Sequence, residues 1–365
     1  MGLLIAGLLR PATLSSAELA SAHPVSGGTY EYGYRYLSPA FGFAAGALFL
    51  VAKSASAATA ALGLGAYLVR LTGWNLPFHW LGLGLATSIA FAGIRRSTQV
   101  NGILVGLTLV SLFAFVYLGF ARSPVSLSTP PTSFWESVAL LFVAFTGYGR
   151  IATLGEEVRA PRKTLPAAIV ICLLICGGVY AAVGFSAMRL VGASEFYALA
   201  LAGSPLEQIA WQKNSTVVAW VLGLGASFAL CGVMLNLILG LSRIVLAMGR
   251  RGDLPESVAQ LDAKQNPTVA VLIAAGLIAV WVGLGSIKGN WELSAFTVLI
   301  YYGVTNLAAL RLRGTDLLYP KAISAMGLLV CFGLLYFLSL NTALLGGTAL
   351  LAAFATRALF KRRSF

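Results

Sequence analysis

Gly147 and Gly149 flank Tyr148 within AFTGYGRIATLGEEVRAPRKTLP, residues 144–166, and interrupt one of the longest apolar runs of the chain. Each glycine lowers the local cost of leaving helical geometry, so a helix through this run is expected to break here. A break frees carbonyl oxygens and N–H groups, and the dipoles of two facing half-helices suit the charged ends of a small zwitterion. Plain packing is the alternative, since small residues also let membrane helices approach closely. GFAAG at 42–46 and GILVG at 102–106 are read in that second way.

Lys53 is the next residue with chemistry to explain. At 1.5 Å per residue it stands about 20 Å along a helix that begins at Pro39. A charged Lys at the centre of a membrane helix costs about 2.5–3.5 kcal/mol on insertion. It should therefore face the bundle interior, and either find a partner or hold its proton less firmly. A titrating proton carrier and a fixed positive charge both fit. Ser227, the other ion-coupling candidate, lies with Asn236 on the run 214–248. There a hydroxyl or amide binds a solute or a coupling ion, or bonds between helices.

Arg150, Glu157 and Glu18 are the gating candidates. Glu18 sits at the cytoplasmic end of its helix, with Arg150 as its expected partner. Glu156 and Glu157 precede a basic link, where a network of helix-end ion pairs competes with a cytoplasmic gate. Arg10, beside Pro11, has no assignment.

The remaining inventory narrows the function by what it lacks. Cys172, Cys176, Cys231 and Cys331 all fall in apolar runs, where cysteine packs as a small hydrophobe. His23 and His79 are far apart, at segment ends. No metal site or cofactor is expected from these residues. An enzyme would need a convergent nucleophile, base or metal set, and the runs offer neither paired histidines nor a Gly-x-Ser-x-Gly elbow.

The composition supplies the setting for these residues. Of 365 residues 58% are hydrophobic and 10% charged, against about 25% charged in a typical soluble domain. The chain is read as an all-α integral membrane protein, a single transmembrane domain over 1–365 with the lipid bilayer as its solvent. A helix needs about 20 apolar residues to cross the hydrocarbon, and about eleven such runs occur. They are 1–22, 39–69, 78–94, 99–120, 134–155, 164–190, 214–248, 268–286, 291–311, 322–339 and 341–359. A tight SLNT separates the last two, and the excess length of 214–248 is expected to project into the cytoplasm.

Alternate connectors differ in charge. One set holds Arg35, Arg95, Arg96, Arg159, Arg162, Lys163, Arg250, Arg251, Lys264, Arg311, Arg313, Lys321 and the basic tail 357–365. The other holds only Arg70, Arg122, Arg189, Lys213 and Lys288. The positive-inside rule puts the first set and the C-terminus in the cytoplasm. The net charge of +13 is thereby an orientation signal; nucleic-acid binding would need a compact basic, polar face. An odd number of spans leaves Met1 outside, and leads us to expect an apolar helix ahead of it. The rival reading, a signal cleaved after Ala20–Ala22, is opposed by Arg10 and Pro11 inside its apolar region.

Residues 14–46, LSSAELASAHPVSGGTYEYGYRYLSPAFGFAAG, join an alanine-rich Glu-Leu helix end, a proline, a Gly-Gly-x-Tyr turn and a Phe-Gly-Phe helix start. Together with residues 144–169 and with SRIVLAMGRRGDLPESVA at 242–259, this stretch resembles the amino acid/polyamine/organocation (APC) superfamily of permeases, over nearly the whole chain. The resemblance implies an inverted-repeat fold whose twelve-helix pattern here begins at the second helix. It also implies a secondary active transporter of amino acids at the cell membrane, proton-coupled or exchanging, working by alternating access. The α-amino group of the substrate would be held by carbonyls at Phe145, Thr146, Gly147, Tyr148 and Gly149. The carboxylate would be held by a broken first helix that has no counterpart in this sequence. Lys53 could then stand where sodium binds in cation-coupled relatives. In some proton-coupled members the lysine lies on the fifth helix, where this chain has Thr108. Gly149 and Arg150 replace the acid that many relatives carry there. With only Glu18 as a peripheral acid, neutral amino acids are favoured. The alternative function is a non-transporting remnant or sensor of the same family.

Overall fold

In hydrocarbon each backbone N–H and C=O must find a partner within the protein, and this chain meets that demand with helices. The computed structural model describes residues 2–23, 27–91, 94–125, 134–149, 161–201, 203–262 and 265–363. The helices in chain order are α1 Gly2–Ala22, α2 Thr29–Tyr36, α3 Pro39–Thr72, α4 Phe78–Phe91, α5 Ile94–Ala121 and α6 Phe134–Phe145. They continue with α7 Pro161–Leu201, α8 Pro205–Gln212, α9 Thr216–Arg250, α10 Thr268–Leu284, α11 Ile287–Ala309, α12 Lys321–Leu335 and α13 Leu340–Arg363. No strand occurs among the described residues.

Among the described residues each of the eleven apolar runs contributes a helix, and the short helices α2 and α8 lie in connectors. Pro39–Thr72, Gly102–Ala121, Thr164–Leu201 and Thr216–Arg250 are each long and apolar enough to cross a membrane. The helices α12 and α13 turn through 115° at the break between them. Several boundaries differ from the sequence reading, among them the ends of α7 and α13. The run expected over 164–190 continues as helix to Leu201, but Gly192 interrupts it at φ 77°, a backbone region that glycine enters without steric cost. The tail from 357 onward continues α13 as helix as far as Arg363.

The centre of the bundle is α3. Its start is fixed by Ser38, whose hydroxyl accepts the Phe41 N–H at 3.5 Å, with Pro39 in the first turn. Its end is fixed by Gly73 at φ 70°, which donates to the Val69 carbonyl at 2.8 Å. This pairing of proline at the start and glycine past the end suits the fixed φ of one and the left-handed freedom of the other. Most of its membrane stretch, 78%, is buried inside the protein, against 17% for α7. The sequence explains that position: Ala45, Ala52, Ala55, Ala57, Ala58 and Ala61 are all inaccessible. Lipid tails are as apolar as leucine, so helix association here gains from close van der Waals contact, which small residues permit. Thus α2, α4, α9, α10 and α11 all pack against α3. The outer helix α5 instead turns Ile103, Val110 and Phe113 outward.

Candidate functional site

Regular α-helix ends at Phe145, and Thr146–Tyr148 form one turn of 3₁₀ helix. An α-helix end leaves its last carbonyls without partners, and neighbouring side chains answer them here. The Thr146 hydroxyl donates to the Val143 carbonyl at 2.8 Å, and the Tyr180 hydroxyl to that of Ala144 at 3.0 Å. The Tyr302 hydroxyl donates to the Thr146 carbonyl at 3.3 Å. One turn earlier, the Trp291 indole N–H reaches the Leu140 carbonyl at 2.9 Å. The break is therefore a row of carbonyls met by Thr146 itself and by donors from α7 and α11.

The two glycines play different parts. A Cβ built at Gly149 would stand 2.9 Å from the Tyr302 hydroxyl oxygen, whereas one built at Gly147 meets open space. The absence of a side chain at 149 is what admits Tyr302 to the break. Tyr148 closes the turn, and its side chain is outside the described set.

Lys53 comes to this same place. It is 8% exposed, and its Nζ donates to Thr146 Oγ1 at 2.9 Å. The Phe49 ring centroid lies 6.0 Å from Nζ, at the outer reach of a cation–π contact. Lys53 has no ion-pair partner among the described residues. Around it α3 is bound by hydroxyls, with Ser56 Oγ and Ser294 Oγ 2.7 Å apart and the Trp281 indole donating to Ser54 Oγ at 2.9 Å.

The other candidates are placed elsewhere. Ser227 is buried, and its hydroxyl donates to the Gly223 carbonyl of its own helix at 2.7 Å. Among the described residues no bond joins Ser227 to Lys53. Asn236 likewise donates to the Gly232 carbonyl at 3.0 Å. Glu18 is buried, and its Oε1 accepts the N–H groups of Leu318 at 2.5 Å and Tyr319 at 2.9 Å. It holds the loop ahead of α12. Arg150, Glu156 and Glu157 lie outside the described residues, and so does the expected pairing of Glu18 with Arg150.

One cluster was missed in the sequence. The Asp253 carboxylate, 1% exposed, accepts the hydroxyls of Tyr30 at 2.7 Å and Tyr34 at 2.5 Å, and the Arg357 Nε at 2.8 Å. Arg357 also donates from Nη2 to the Tyr34 hydroxyl at 2.8 Å, and its guanidinium covers the Phe43 ring. Arg251 pairs with Glu31 and stacks 4.3 Å from the Tyr34 ring centre. Burial, reinforced by the neighbouring Asp253 carboxylate, holds both phenols well above the usual range, so they remain donors. Both halves stand in quoted motifs, YEYGYRY and GRRGDLP, but their partner Arg357 lies 104 residues from Asp253.

A bundle of apolar helices with a polar break at its centre, stapled at one end by a buried ionic cluster, defines a multi-pass membrane transporter. The chain belongs to the amino acid permease family, whose model matches residues 1–356, and thus to the APC superfamily. Among curated proteins it is similar to an uncharacterized transporter of Mycobacterium tuberculosis, 35% identical over 366 residues, covering 96% of this chain and 81% of that one. It is also similar to the branched-chain amino acid permease BcaP of Bacillus subtilis, 28% identical over 88% of this chain and 75% of that one. A methylthioribose transporter of the same organism is 27% identical over 78% of this chain and 68% of its own length.

Proposed function

We propose that this permease carries amino acids across the cell membrane by secondary active transport, coupled to protons or to exchange. Access alternates around the break at Phe145–Gly149. The observation that carries this reading is the bond from the Lys53 ammonium to Thr146 at the break, inside an apolar bundle. A substrate α-ammonium has the same chemistry as the donors already aimed at the Ala144 and Thr146 carbonyls, and it binds by displacing the Tyr180 and Tyr302 hydroxyls. Phe145, Thr146, Gly147, Tyr148 and Gly149 form the binding segment. Lys53, unpaired with any carboxylate among the described residues, gains or loses its proton as Thr146 moves, and Ser227 lies on the helix that lines the path. On the cytoplasmic side Glu18, Arg150 and Glu157 close the gate, and the C-terminus lies on that side. All of 1–365 acts as one transmembrane domain with a basic tail at 357–365.

Lys53 repels cationic side chains, which favours neutral substrates. The name of the branched-chain permease supports an aliphatic one, and that of the methylthioribose transporter supplies the rival to be tested. The test is uptake and counterflow in proteoliposomes holding this chain, with labelled leucine, valine, alanine, lysine and methylthioribose, under an inward proton gradient. Accumulation or exchange of neutral amino acids, with lysine excluded, is the expected result. Binding of an amino acid without its uptake or exchange would make the chain a sensor instead.

A further inference from the structure

Glu207 is a carboxylate that the reading above does not use. It stands on α8, in the connector between α7 and α9, and is completely buried. The Trp211 indole N–H donates to its Oε1 at 3.2 Å, while its Oε2 is buried with no hydrogen-bond partner among the described residues.

The spacing Ser204-x-x-Glu207 has the form of a capping box, in which the glutamate would turn back to the first residue of the motif. That use is not made here. Ser204 provides no side-chain cap, and Gln208 Nε2 donates to its carbonyl at 3.2 Å and to its hydroxyl at 3.3 Å. The carboxyl is therefore left over from the capping of α8. A buried carboxylate that forms no ion pair is costly, and neutralisation is the ordinary remedy; Glu207 forms none among the described residues.

We infer from this buried, unanswered oxygen that Glu207 is a proton-binding site, distinct from Lys53, at the end of the bundle on which α8 lies. Burial holds its carboxyl above the ordinary range, opposed by the Trp211 bond and by Arg70. On the elements packed around it, Tyr67 and Arg70 of α3 are the titratable groups that act on it. Arg122, past the end of α5, donates to the Lys213 carbonyl, and Arg189 of α7 lies over the rings of Phe120 and Phe185. Tyr117 of α5 and Glu195 of α7 face outward, and α9 carries no titratable side chain before Cys231. Any share of this site in coupling rests on the transport reading above; the binding of the proton does not.

The test is pH-difference infrared spectroscopy on the full chain in lipid nanodiscs. A protonated carboxyl band is expected that titrates away at a pH above the ordinary glutamate range, and that is absent from Glu207→Gln. Trp211→Phe removes a bond that favours the ionised form, so the titration midpoint should move to higher pH. This second variant decides the matter if Glu207→Gln does not fold. A band whose midpoint in the wild type is no higher than that of a free glutamate, one that persists in Glu207→Gln, or a midpoint that Trp211→Phe leaves in place would each overturn the proposal. If the band titrates as expected in a chain whose vesicles neither take up nor exchange any amino acid, the transport reading fails and the proton site stands.

Discussion

Lys53 and Thr146 are 93 residues apart in sequence and 2.9 Å apart at their polar atoms. The bond has two separable consequences. Replacing Thr146 by Val keeps the shape but removes the acceptor, leaving a buried donor unanswered at a cost of about 1–3 kcal/mol. Lys53→Met removes the charge that made burial costly, so its stability should equal or exceed that of the wild type. Thermal unfolding in detergent should thus show Thr146→Val melting lowest of the three. Proton-driven uptake should fall at least about fivefold in Lys53→Met, the lower end of ordinary coupling between sites. The interior position of Lys53 was legible in the sequence, because an ammonium in mid-span has few places to go. Its partner was not legible, since tertiary pairing leaves no trace in spacing. Ser227 shows the same limit from the other side: the sequence offered a hydroxyl on the run 214–248, and the structure turns it to the Gly223 carbonyl.

The helix break was legible as an element because glycine acts locally, and the change from α to 3₁₀ falls at Thr146, as the flanking glycines imply. What holds the break open was not legible, because Tyr180 and Tyr302 come from other helices. The two glycines should respond oppositely to a methyl group. Gly147→Ala meets open space and should gain up to about 1 kcal/mol from helix propensity. Gly149→Ala collides with the Tyr302 hydroxyl and should lose about 1–3 kcal/mol through overpacking. Urea or thermal titration of the two variants checks the signs. The element α2 escaped the sequence reading for a related reason. At eight residues it is too short to hold as an isolated helix, and it is fixed by its tyrosines on Asp253. Asp253→Asn leaves the partly buried Arg357 without its counter-charge, at a cost on the order of 3 kcal/mol. Hydrogen exchange should therefore rise in α2 and over the last turns of α13 together.

At the scale of the whole molecule, the two sets of connectors that differ in charge are also tied by contacts within each set. On the basic side, Tyr30 and Tyr34 meet Asp253 and Arg357, and Glu18 holds Leu318 and Tyr319. On the other side, Arg122 Nη2 donates to the Lys213 carbonyl at 3.1 Å, and the Val125 N–H to that of Arg189 at 2.9 Å. There too, Glu292 accepts from Ser339 and Thr342 and pairs with Lys288. The tryptophans follow the same division. Trp74, Trp80, Trp135, Trp211 and Trp220 are all exposed and all neighbour the sparsely charged connectors, where an amphipathic ring suits the edge of the bilayer. Charge and contact thus agree in dividing the connectors between two ends of the bundle, and the charge division could be read from sequence. In a background without the four native cysteines, Lys213→Cys and Lys288→Cys should react with an impermeant maleimide in intact cells. Arg313→Cys and Lys321→Cys should react only after permeabilisation. The reverse pattern would place the C-terminus and the Asp253 cluster outside, and with them the end of the molecule at which the gate is assigned.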